Sequence, residues 1–199
     1  MARRDIIITM IPLDSDIQAA VDCLKHGGII LYPTDTVWGI GCDATRSDAV
    51  RRIFDIKRRS EAKAMITLVS DTDMLMRYVD NPPEVAVELA GLAVTPTTII
   101  YDRPMRLASE LLADDGSAGI RITSEAYSHG LCRKLRRPIV STSANISGMQ
   151  TPAFFHEIST DIINAVDYTA FYRRDDRTPH VPSTVIKISD DSTFAILRK

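Results

Sequence analysis

The sequence predicts an α/β protein that forms a single domain over residues 1–199. The first observation is that short apolar runs rich in β-branched residues alternate with stretches of helical periodicity. The second is the stretch 28–44, in which an apolar run ending at Tyr32 is followed by the polar residues Thr34, Asp35 and Thr36. Ligands of α/β proteins usually bind at the carboxyl ends of strands. We therefore expect the functional site to be built around this stretch.

Predicted strands occupy short apolar runs along the whole chain. Pro33 removes a backbone donor and ends the run before it. Gly39 and Gly41 are expected to let the following loop fold back tightly. The last two strands are expected to form a closing hairpin around Asp190 and Asp191. The predicted strands cover residues 6–9, 29–32, 64–69, 97–101, 119–123, 138–142, 185–188 and 194–197.

Predicted helices fill the segments between these strands. Asp14 or Ser15 is expected to cap the first helix, which runs to His26, and Ser47 is expected to cap the second. Lys57 lies at the exit of the second helix. Further helices are predicted at residues 71–78 and 84–89 and from Ser124 to about residue 135.

Composition excludes several classes of protein. With 199 residues the chain can bury a sizeable core, and its 45% hydrophobic and 25% charged residues are ordinary for a globular protein. No apolar run approaches the roughly 20 residues of a membrane span. The basic N-terminus is followed by too short an apolar run for a signal peptide. Cys23, Cys42 and Cys132 are odd in number and widely spaced. We expect a cytoplasmic protein with reduced thiols and no membrane contact.

Charge restricts any contact with nucleic acid to local clusters, because the formal net charge is −2. Solvated helix faces explain the second and third clusters equally well. The three candidate clusters are Arg51, Arg52, Lys57, Arg58 and Arg59; Arg133, Lys134, Arg136 and Arg137; and Arg173, Arg174 and Arg177.

Three segments together resemble the YrdC family of L-threonylcarbamoyladenylate synthases. The stretch YPTDTVWGIGCDA at residues 32–44 is similar to the N-terminal signature of that family. Lys57-Arg58-Arg59 resembles its K-x-R element, and STSANISG at residues 141–148 resembles its S-x-N element. The three segments occur in the family's order and span most of the chain. The resemblance implies a twisted mixed sheet with flanking helices and a concave, basic face, the dihydroxybutanone phosphate synthase-like fold.

The resemblance implies a nucleotide site at the second and third segments. A triphosphate needs fixed cations and hydrogen-bond donors, which Lys57 and Arg59 supply as a point charge and a planar fork. Ser143 and Asn145 follow a predicted strand and match the S-x-N element, although both residue types also favour simple turns. These four are the expected catalytic residues. The full expected ATP-binding set is Lys57, Arg59, Lys63, Thr98, Ser143, Asn145, Thr151 and Arg198.

A threonine site is implied by further matches to the family. Hydroxyl side chains with one cation suit a small amino acid that carries a carboxylate and a hydroxyl. Thr36 lies in the P-T-D-T segment, Arg121 could pair with the carboxylate, and Ser141 and Ser183 complete the expected threonine-binding set. The alternatives are a turn hydroxyl for Thr36, a sheet-surface charge for Arg121 and a strand-start cap for Ser183.

The implied reaction has two parts and needs no covalent enzyme intermediate. Threonine and bicarbonate give a carbamate, which attacks the α-phosphorus of ATP and releases pyrophosphate. Catalysis would rest on positioning and on neutralising charge at the phosphates. Mg²⁺ is expected with ATP, and the product implies tRNA or a tRNA-modification complex as partner. No dedicated metal motif is found, and Asp35 or Asp43 as a direct ligand stays open.

Two alternative functions stay open from the sequence. The first is a YciO-like paralogue that binds nucleotide or RNA without synthase activity, favoured because residues 94–98 depart from the family's P-G-P-x-T segment. The second is a dinucleotide enzyme, since Gly39, Gly41 and Ala44 imitate a G-x-G-x-x-A fingerprint. That fingerprint should follow its strand directly, whereas here Pro33 and a polar segment intervene. The chain contains no P-loop sequence.

Overall fold

The computed structural model describes residues 11–58, 65–189 and 193–198. Several predictions lie outside these described residues: the strand at residues 6–9, the turn at Asp190 and Asp191, and the site residues Arg59 and Lys63.

The described elements alternate between helices and strands, as the sequence predicts. The helices are α1 (Leu13–Lys25), α2 (Ser47–Ile56), α3 (Thr72–Met76), α4 (Glu84–Leu92), α5 (Ala126–Leu135) and α6 (Thr160–Ala165), with short 3₁₀ turns at Ser109–Leu111 and Phe155–Glu157. The strands are β1 (Ile30–Tyr32), β2 (Gly39–Gly41), β3 (Ile66–Val69), β4 (Thr97–Tyr101), β5 (Ala118–Ile122), β6 (Ile139–Ser143), β7 (Tyr168–Thr169), β8 (Thr184–Ile188) and β9 (Phe194–Arg198).

The described strands form one nine-stranded mixed sheet in the order β7-β1-β2-β6-β3-β5-β4-β8-β9. The pairs β1–β7, β3–β5 and β4–β8 are parallel. The remaining neighbours, including the closing pair of β8 and β9, run antiparallel. The predicted α/β fold with a mixed sheet and flanking helices is confirmed.

Register places the candidate site residues on one face of the sheet. Residues that pair across neighbouring strands point to the same side. Ile66 pairs with Ser141, Leu68 pairs with both Arg121 and Ile139, and Gly39 pairs with Ser143. The side chains of Ile66, Arg121, Ser141 and Ser143 therefore share one face.

The opposite face packs under helices. Ile99 and Tyr101 alternate with Thr98 along β4, and Tyr101 lies beneath α4, where its hydroxyl donates to Ala86 O at 3.5 Å. Elsewhere in the helical layer, α1 and α5 pack closely: a Cβ on Gly130 would lie 2.7 Å from Ile17 Cδ1.

The loop predicted at Gly39 and Gly41 is wrong, because these residues form β2, an interior strand of the sheet. Its neighbours β1 and β6 come so close that a Cβ on Gly41 would lie 2.3 Å from Val140 O and 2.7 Å from Tyr32 Cε1. Glycine here opens space for neighbouring groups and does not break the strand. The dinucleotide fingerprint fails for the same reason, since its glycines are strand residues and form no turn at a helix N-terminus.

The predicted helix caps are also wrong in detail. Pro12 occupies the N-cap of α1 and Arg46 that of α2, and neither makes a side-chain cap. The helix predicted from Ser124 begins at Ala126, because the Glu125 carboxylate accepts from Tyr127 N at 3.1 Å and Ser128 N at 2.9 Å. The first helix starts earlier than Asp14, since proline fits the start of a helix without a backbone donor.

Within the described ranges, no helix combines the length and apolar character that a membrane span requires. Cys23, Cys42 and Cys132 are all free, and burial raises the pKa of the half-buried Cys23 thiol to about 11.

Candidate functional site

A cavity of about 270 Å³ lies on the sheet face that carries Ile66, Arg121 and Ser141. It is open to solvent, and residues from β2, β3, β5 and β6 contribute to its wall. Its full lining is Thr36, Val37, Gly39, Met65, Ile66, Arg121, Ser141, Thr142, Ser143, Thr151, Pro182, Ser183 and Arg198. All four residues of the expected threonine set are in this lining, together with Ser143, Thr151 and Arg198 of the expected ATP set.

The loop between β1 and β2 presents Thr36 to the cavity in a fixed conformation. Thr34 Oγ1 accepts from Thr36 N at 3.1 Å and donates to Val37 O at 2.7 Å. The hydroxyls of Thr34 and Thr36 lie 3.1 Å apart. Thr36 is 8% exposed. The turn-hydroxyl alternative therefore describes Thr34 better than Thr36, whose side chain reaches the cavity.

Arg121 is a buried cation in the cavity wall, not a sheet-surface charge. Its side chain is 2% exposed, and its Nη2 lies 2.8 Å from Asp35 Oδ1. Burial raises the pKa of Asp35, and the Arg121 charge opposes that shift. Burial likewise lowers the pKa of Arg121 against the opposing effect of Asp35. Within the described residues Arg121 Nε has no hydrogen-bond partner, so a buried donor is left over for a ligand.

Ser183, Thr98 and Arg198 form a hydrogen-bonded group at the side of the cavity. Thr98 Oγ1 and Ser183 Oγ are 3.0 Å apart and both residues are buried. Arg198 Nη2 donates to Ser183 Oγ at 3.1 Å and to Ser183 O at 3.0 Å. The structure thus joins a residue expected in the threonine site with two expected in the nucleotide site.

A second cavity of about 180 Å³ adjoins the first and shares Met65, Ile66 and Arg198 with it. Thr98 lines this second cavity, and its wall is largely apolar because Ile100, Val185 and several small residues complete it. Met65, Ile66 and Ile100 were not predicted as site residues, because apolar residues in predicted strands are expected to lie in the hydrophobic core. The pair of cavities offers a polar chamber beside a more apolar one.

Lys57 does not line the cavity, but it contacts the backbone of Ser143, which does. Its side chain is 3% exposed, and Nζ donates to Ser143 O at 2.5 Å and to Asn145 O at 2.7 Å. Ser147 N in turn donates to Lys57 O at 2.9 Å. Lys57 therefore fastens the loop after β6, and direct contact of its ammonium with a phosphate stays a prediction.

Asn145 is only partly explained by the turn alternative. Its Nδ2 donates to Ile146 O at 3.0 Å and Met149 O at 2.8 Å, as a turn residue would. Its Oδ1 is buried without a hydrogen-bond partner among the described residues. Asn145 is outside the cavity lining, whereas Ser143 of the same motif lies in it.

The basic clusters of the sequence are largely engaged in ion pairs. Arg52 forms a double contact with Asp167 at 2.9 and 3.0 Å, and Arg137 lies 2.8 Å from Asp43. Further pairs join Arg51 to Glu110, Arg58 to Asp161, Lys134 to Asp14 and Arg173 to Asp176. This favours the structural reading of those charges, and contact with tRNA stays a prediction.

Among the described residues no group of three or more His, Cys, Asp or Glu side chains could hold a metal ion. Asp43, left open as a ligand, has its carboxylate engaged by Arg137 and by Thr45 N at 2.9 Å and Thr45 Oγ1 at 2.7 Å. Asp35 lies against Arg121. Magnesium binding stays a prediction.

These features define a class of protein: a ligand-binding α/β domain whose cavity suits a small ligand with a negative charge. The buried Arg121, the hydroxyls around it and the exposed Arg198 together define that preference. The family model Sua5/YciO/YrdC, described as telomere recombination, matches residues 22–199. The chain belongs to this family, and the resemblance predicted from the three motifs is confirmed.

Individual relatives come from both branches considered from the sequence. The threonylcarbamoyl-AMP synthase of Pseudoalteromonas translucida is 31% identical over 157 residues, covering 77% of this chain and 84% of that protein. A variant of P. abyssi Sua5 superposes with a TM-score of 0.83 at 25% identity, covering 93% of this chain and 56% of that chain. E. coli YciO superposes with a TM-score of 0.80 at 26% identity, covering 94% of this chain and 89% of that chain.

Proposed function

We propose that this protein is an L-threonylcarbamoyladenylate synthase. It makes threonylcarbamoyl-AMP from threonine, bicarbonate and ATP, and the product serves the threonylcarbamoyladenosine modification of tRNA. The observation that carries the proposal is Arg121, a buried guanidinium with an unpartnered Nε, in a cavity that also presents Thr36 and Ser183. The name of the relative from Pseudoalteromonas translucida supports the same activity.

The amino-acid half of the proposal follows from this charge and hydroxyl pattern. Arg121 Nη2 is ion-paired with Asp35 at 2.8 Å, and neither Asp35 Oδ1 nor Arg121 Nε has a hydrogen-bond partner among the described residues, so the amino-acid carboxylate binds the guanidinium donors that Asp35 leaves open, Nε among them. A buried, charge-assisted contact of this kind is stronger than one in water. Thr36 and Ser141 supply hydroxyls for the side-chain hydroxyl of threonine. A site that hydrogen-bonds a hydroxyl rejects an analogue that lacks it, because its own polar groups then stay unpaired.

The nucleotide half rests on the other wall of the cavity. Ser143 and Thr151 line it with hydroxyls, and Arg198 supplies a cation between the two cavities. Thr98 supports Arg198 through the Ser183 hydroxyl. Lys57 keeps Ser143 in place through its carbonyl. Arg59 and Lys63 are proposed as further phosphate ligands, and Met65, which follows that segment in the sequence, lines the cavity.

In the reaction, the threonine amine adds to the carbon of bicarbonate, and water leaves to give the carbamate. A carbamate oxygen then bonds to the α-phosphorus of ATP, and the bond to the β-phosphate oxygen breaks with release of pyrophosphate. Mg²⁺ is proposed to enter with ATP, where it would offset negative charge on the phosphates. The chain's own part is to orient the two substrates and to offset the phosphate charge with fixed cations.

The test is incubation of the protein with ATP, bicarbonate, Mg²⁺ and labelled threonine, followed by assay of pyrophosphate and of the labelled adenylate. Omission of bicarbonate or of threonine should abolish both products. Serine keeps the hydroxyl and should be poorer by roughly 10–200-fold at most, whereas valine should be rejected more strongly. Thr36→Val should erode the discrimination between threonine and valine. ATP binding without any threonine-dependent pyrophosphate would instead indicate the YciO-like alternative, which the altered segment from Val94 to Thr98 favours.

A further inference from the structure

The segment from Phe171 to Pro182, here called the strap, joins β7 to β8 and lies against the Thr34–Thr36 loop. Pro182 lines the 270 Å³ cavity. Nearer the middle of the strap, Arg173, Asp176 and His180 face Thr34 and Thr36 across a cavity of only about 10 Å³. The strap and the loop are therefore closely packed against each other.

The beginning of the strap is fixed by a buried carboxylate. Asp16, 1% exposed in the first turn of α1, accepts from Phe171 N and Tyr172 N, each at 2.8 Å, through Oδ2. Its Oδ1 accepts from the hydroxyls of Tyr168 at 2.5 Å and Tyr127 at 3.2 Å. A carboxylate that accepts several donors in this way is held rigidly. Asp16 thus sets the point from which Arg173 reaches the loop.

Arg173 connects the strap to the loop by its guanidinium. Its backbone adopts φ 62°, in the left-handed region that a residue with a Cβ rarely occupies. Its Nη1 donates to Thr34 O at 3.2 Å and lies 3.6 Å from Glu125 Oε1. Its Nε donates to Asp176 Oδ2 at 2.8 Å. The planar fork of arginine makes these contacts together, which a lysine ammonium cannot do.

His180 completes the arrangement as an acceptor. Arg173 Nη2 lies 2.5 Å from His180 Nε2, and a guanidinium has no acceptor atom. The guanidinium is only 18% exposed, so these contacts are largely shielded from water.

We propose that Arg173 is a positioning residue for the amino-acid half of the site. It does not touch the substrate. By holding the Thr34 carbonyl it fixes the loop in which Thr34 Oγ1 orders Thr36 N, and so it sets where the Thr36 hydroxyl and the Asp35 carboxylate stand. The inference rests on the proposed function for its consequence in catalysis, and on geometry alone for the attachment of the loop.

The kinetic test compares Arg173→Ala and Arg173→Lys with Arg177→Ala. Arg177 is a matched control on the same strap, where it lies 5.9 Å from the Phe154 ring and contacts His156. Arg173→Ala should raise the KM for threonine on the order of 10-fold while the KM for ATP stays within about 2-fold, because only the binding of one substrate is affected. Arg173→Lys should be intermediate, and Arg177→Ala should match the wild type. Equal rises in both KM values, or none, would overturn the proposal.

A second measurement does not depend on activity. Backbone amide hydrogen exchange should be faster for a peptide covering residues 33–38 in Arg173→Ala, and unchanged for one covering residues 118–122, since the attachment is local. Unchanged exchange at residues 33–38 overturns the inference even if threonine KM rises. If the wild-type protein releases no pyrophosphate with threonine, the proposed function fails, and the exchange result alone decides whether Arg173 holds the loop.

Discussion

At the scale of single residues, Arg121 combines a binding group with a buried ion pair. Its guanidinium and the Asp35 carboxylate compensate each other at 2.8 Å in an environment that raises the pKa of the acid and lowers that of the base. A buried charge without such a partner is costly. The ion pair therefore stabilises the charged Arg121 guanidinium in the cavity wall when no substrate is bound.

This arrangement predicts the effect of Arg121→Gln, which removes the charge with little loss of volume. We expect kcat/KM for threonine to fall by about 10²-fold or more, as for loss of one preorganised charged group. The KM for ATP should change much less. Pyrophosphate release at varied threonine and ATP concentrations measures both. Arg121→Lys is the matched control that retains charge without the fork. A folded Arg121→Gln protein with wild-type use of threonine would contradict the assignment.

Lys57 permits a second prediction at this scale. Lys57→Met keeps the length of the side chain and removes the donor, so the carbonyls of Ser143 and Asn145 lose a partner. Leaving buried acceptors unpaired costs roughly 1–3 kcal/mol, which thermal or urea unfolding would detect. Activity should fall together with stability, because Ser143 and the loop after β6 would be displaced.

The control for Lys57 is Arg58→Ala, since Arg58 makes an exposed contact of 3.5 Å with Asp161. Arg58→Ala should leave both the stability and the activity near those of the wild type. If Lys57→Met lost activity with unchanged stability, a direct contact with phosphate would explain Lys57 better than support of the loop.

Site residues could be predicted from the sequence where a polar side chain lies shortly before or after a predicted strand. Thr36 and Ser183 are such residues, whereas Arg121 lies within β5 and was predicted from the family resemblance; the structure brings all three to one cavity. The role of Asp35 as the partner of Arg121 could not be predicted, because two residues far apart in sequence meet only through the sheet. Arg173 was visible only as part of a basic cluster, since its contact with Thr34 depends on the path of the strap.

At the scale of elements, β2 is the segment that sequence rules interpret wrongly. It lies between β1 and β6, and glycine at both ends provides the space that Tyr32 Cε1 and Ser141 Oγ occupy. Glycine signals freedom of the backbone when the sequence is considered alone, whereas here it is required by neighbours from distant parts of the chain.

Gly41→Ala should therefore destabilise the protein. The added Cβ would meet Val140 O at 2.3 Å, and a backbone atom cannot move away cheaply. Overpacking of this kind costs about 1–3 kcal/mol in the free energy of unfolding, measurable by urea denaturation. Gly91→Ala in α4 is the control: its Cβ would approach only Thr72 Cγ2 at 3.1 Å, and alanine favours helix. Equal stability of the two variants would show that β2 accommodates a side chain.

Element boundaries were predictable where local and tertiary signals agree. The strand predicted at 97–101 is β4 (Thr97–Tyr101), because an apolar run coincides there with a position between two paired strands, β5 and β8. By contrast α6 and β7 were not predicted. The helix α6 has six residues and buries only Ile162, and β7 pairs two residues with β1, so neither carries a periodic signal of its own.

At the scale of the whole molecule, strand order could not be predicted, because it depends on contacts between distant segments. Ion pairs contribute to those contacts. The Asp167 carboxylate, next to β7, accepts hydrogen bonds from Arg52 of α2 and from Ile29 N, the latter at 2.7 Å. Burial alone would raise the pKa of this carboxyl, but the hydrogen bonds and the Arg52 charge lower it overall. Similarly, Asp115 ahead of β5 is linked to Lys187 of β8 at 2.9 Å. Ionised carboxylates therefore contribute to contacts between distant segments of the sheet.

Asp115 and Asp176 contribute to the dependence of stability on pH. Hydrogen bonds from the Ser117 hydroxyl, from Lys187 and from Ser117 N hold the pKa of Asp115 well below its usual range. Bonds from Thr178 N, the Thr178 hydroxyl and Arg173 do the same for Asp176 in the strap. A carboxyl whose pKa is lower in the folded state contributes stability above its unfolded pKa of about 3.9, and that contribution is lost as pH falls toward the folded value.

Asp115→Asn should therefore lower the unfolding temperature relative to the wild type at pH 6, and the difference should shrink below about pH 4 as the wild-type carboxyl of the unfolded chain becomes protonated. The adjacent Asp114→Asn is the control, because Asp114 is exposed and makes no hydrogen bond or ion pair within the described part of the chain. Calorimetric scans of the three proteins between about pH 3 and pH 7 measure the effect, because this range includes the unfolded-state pKa of about 3.9. A difference between Asp115→Asn and the wild type that stays constant across that range would show that the link from Asp115 to Lys187 acts through packing and not through charge.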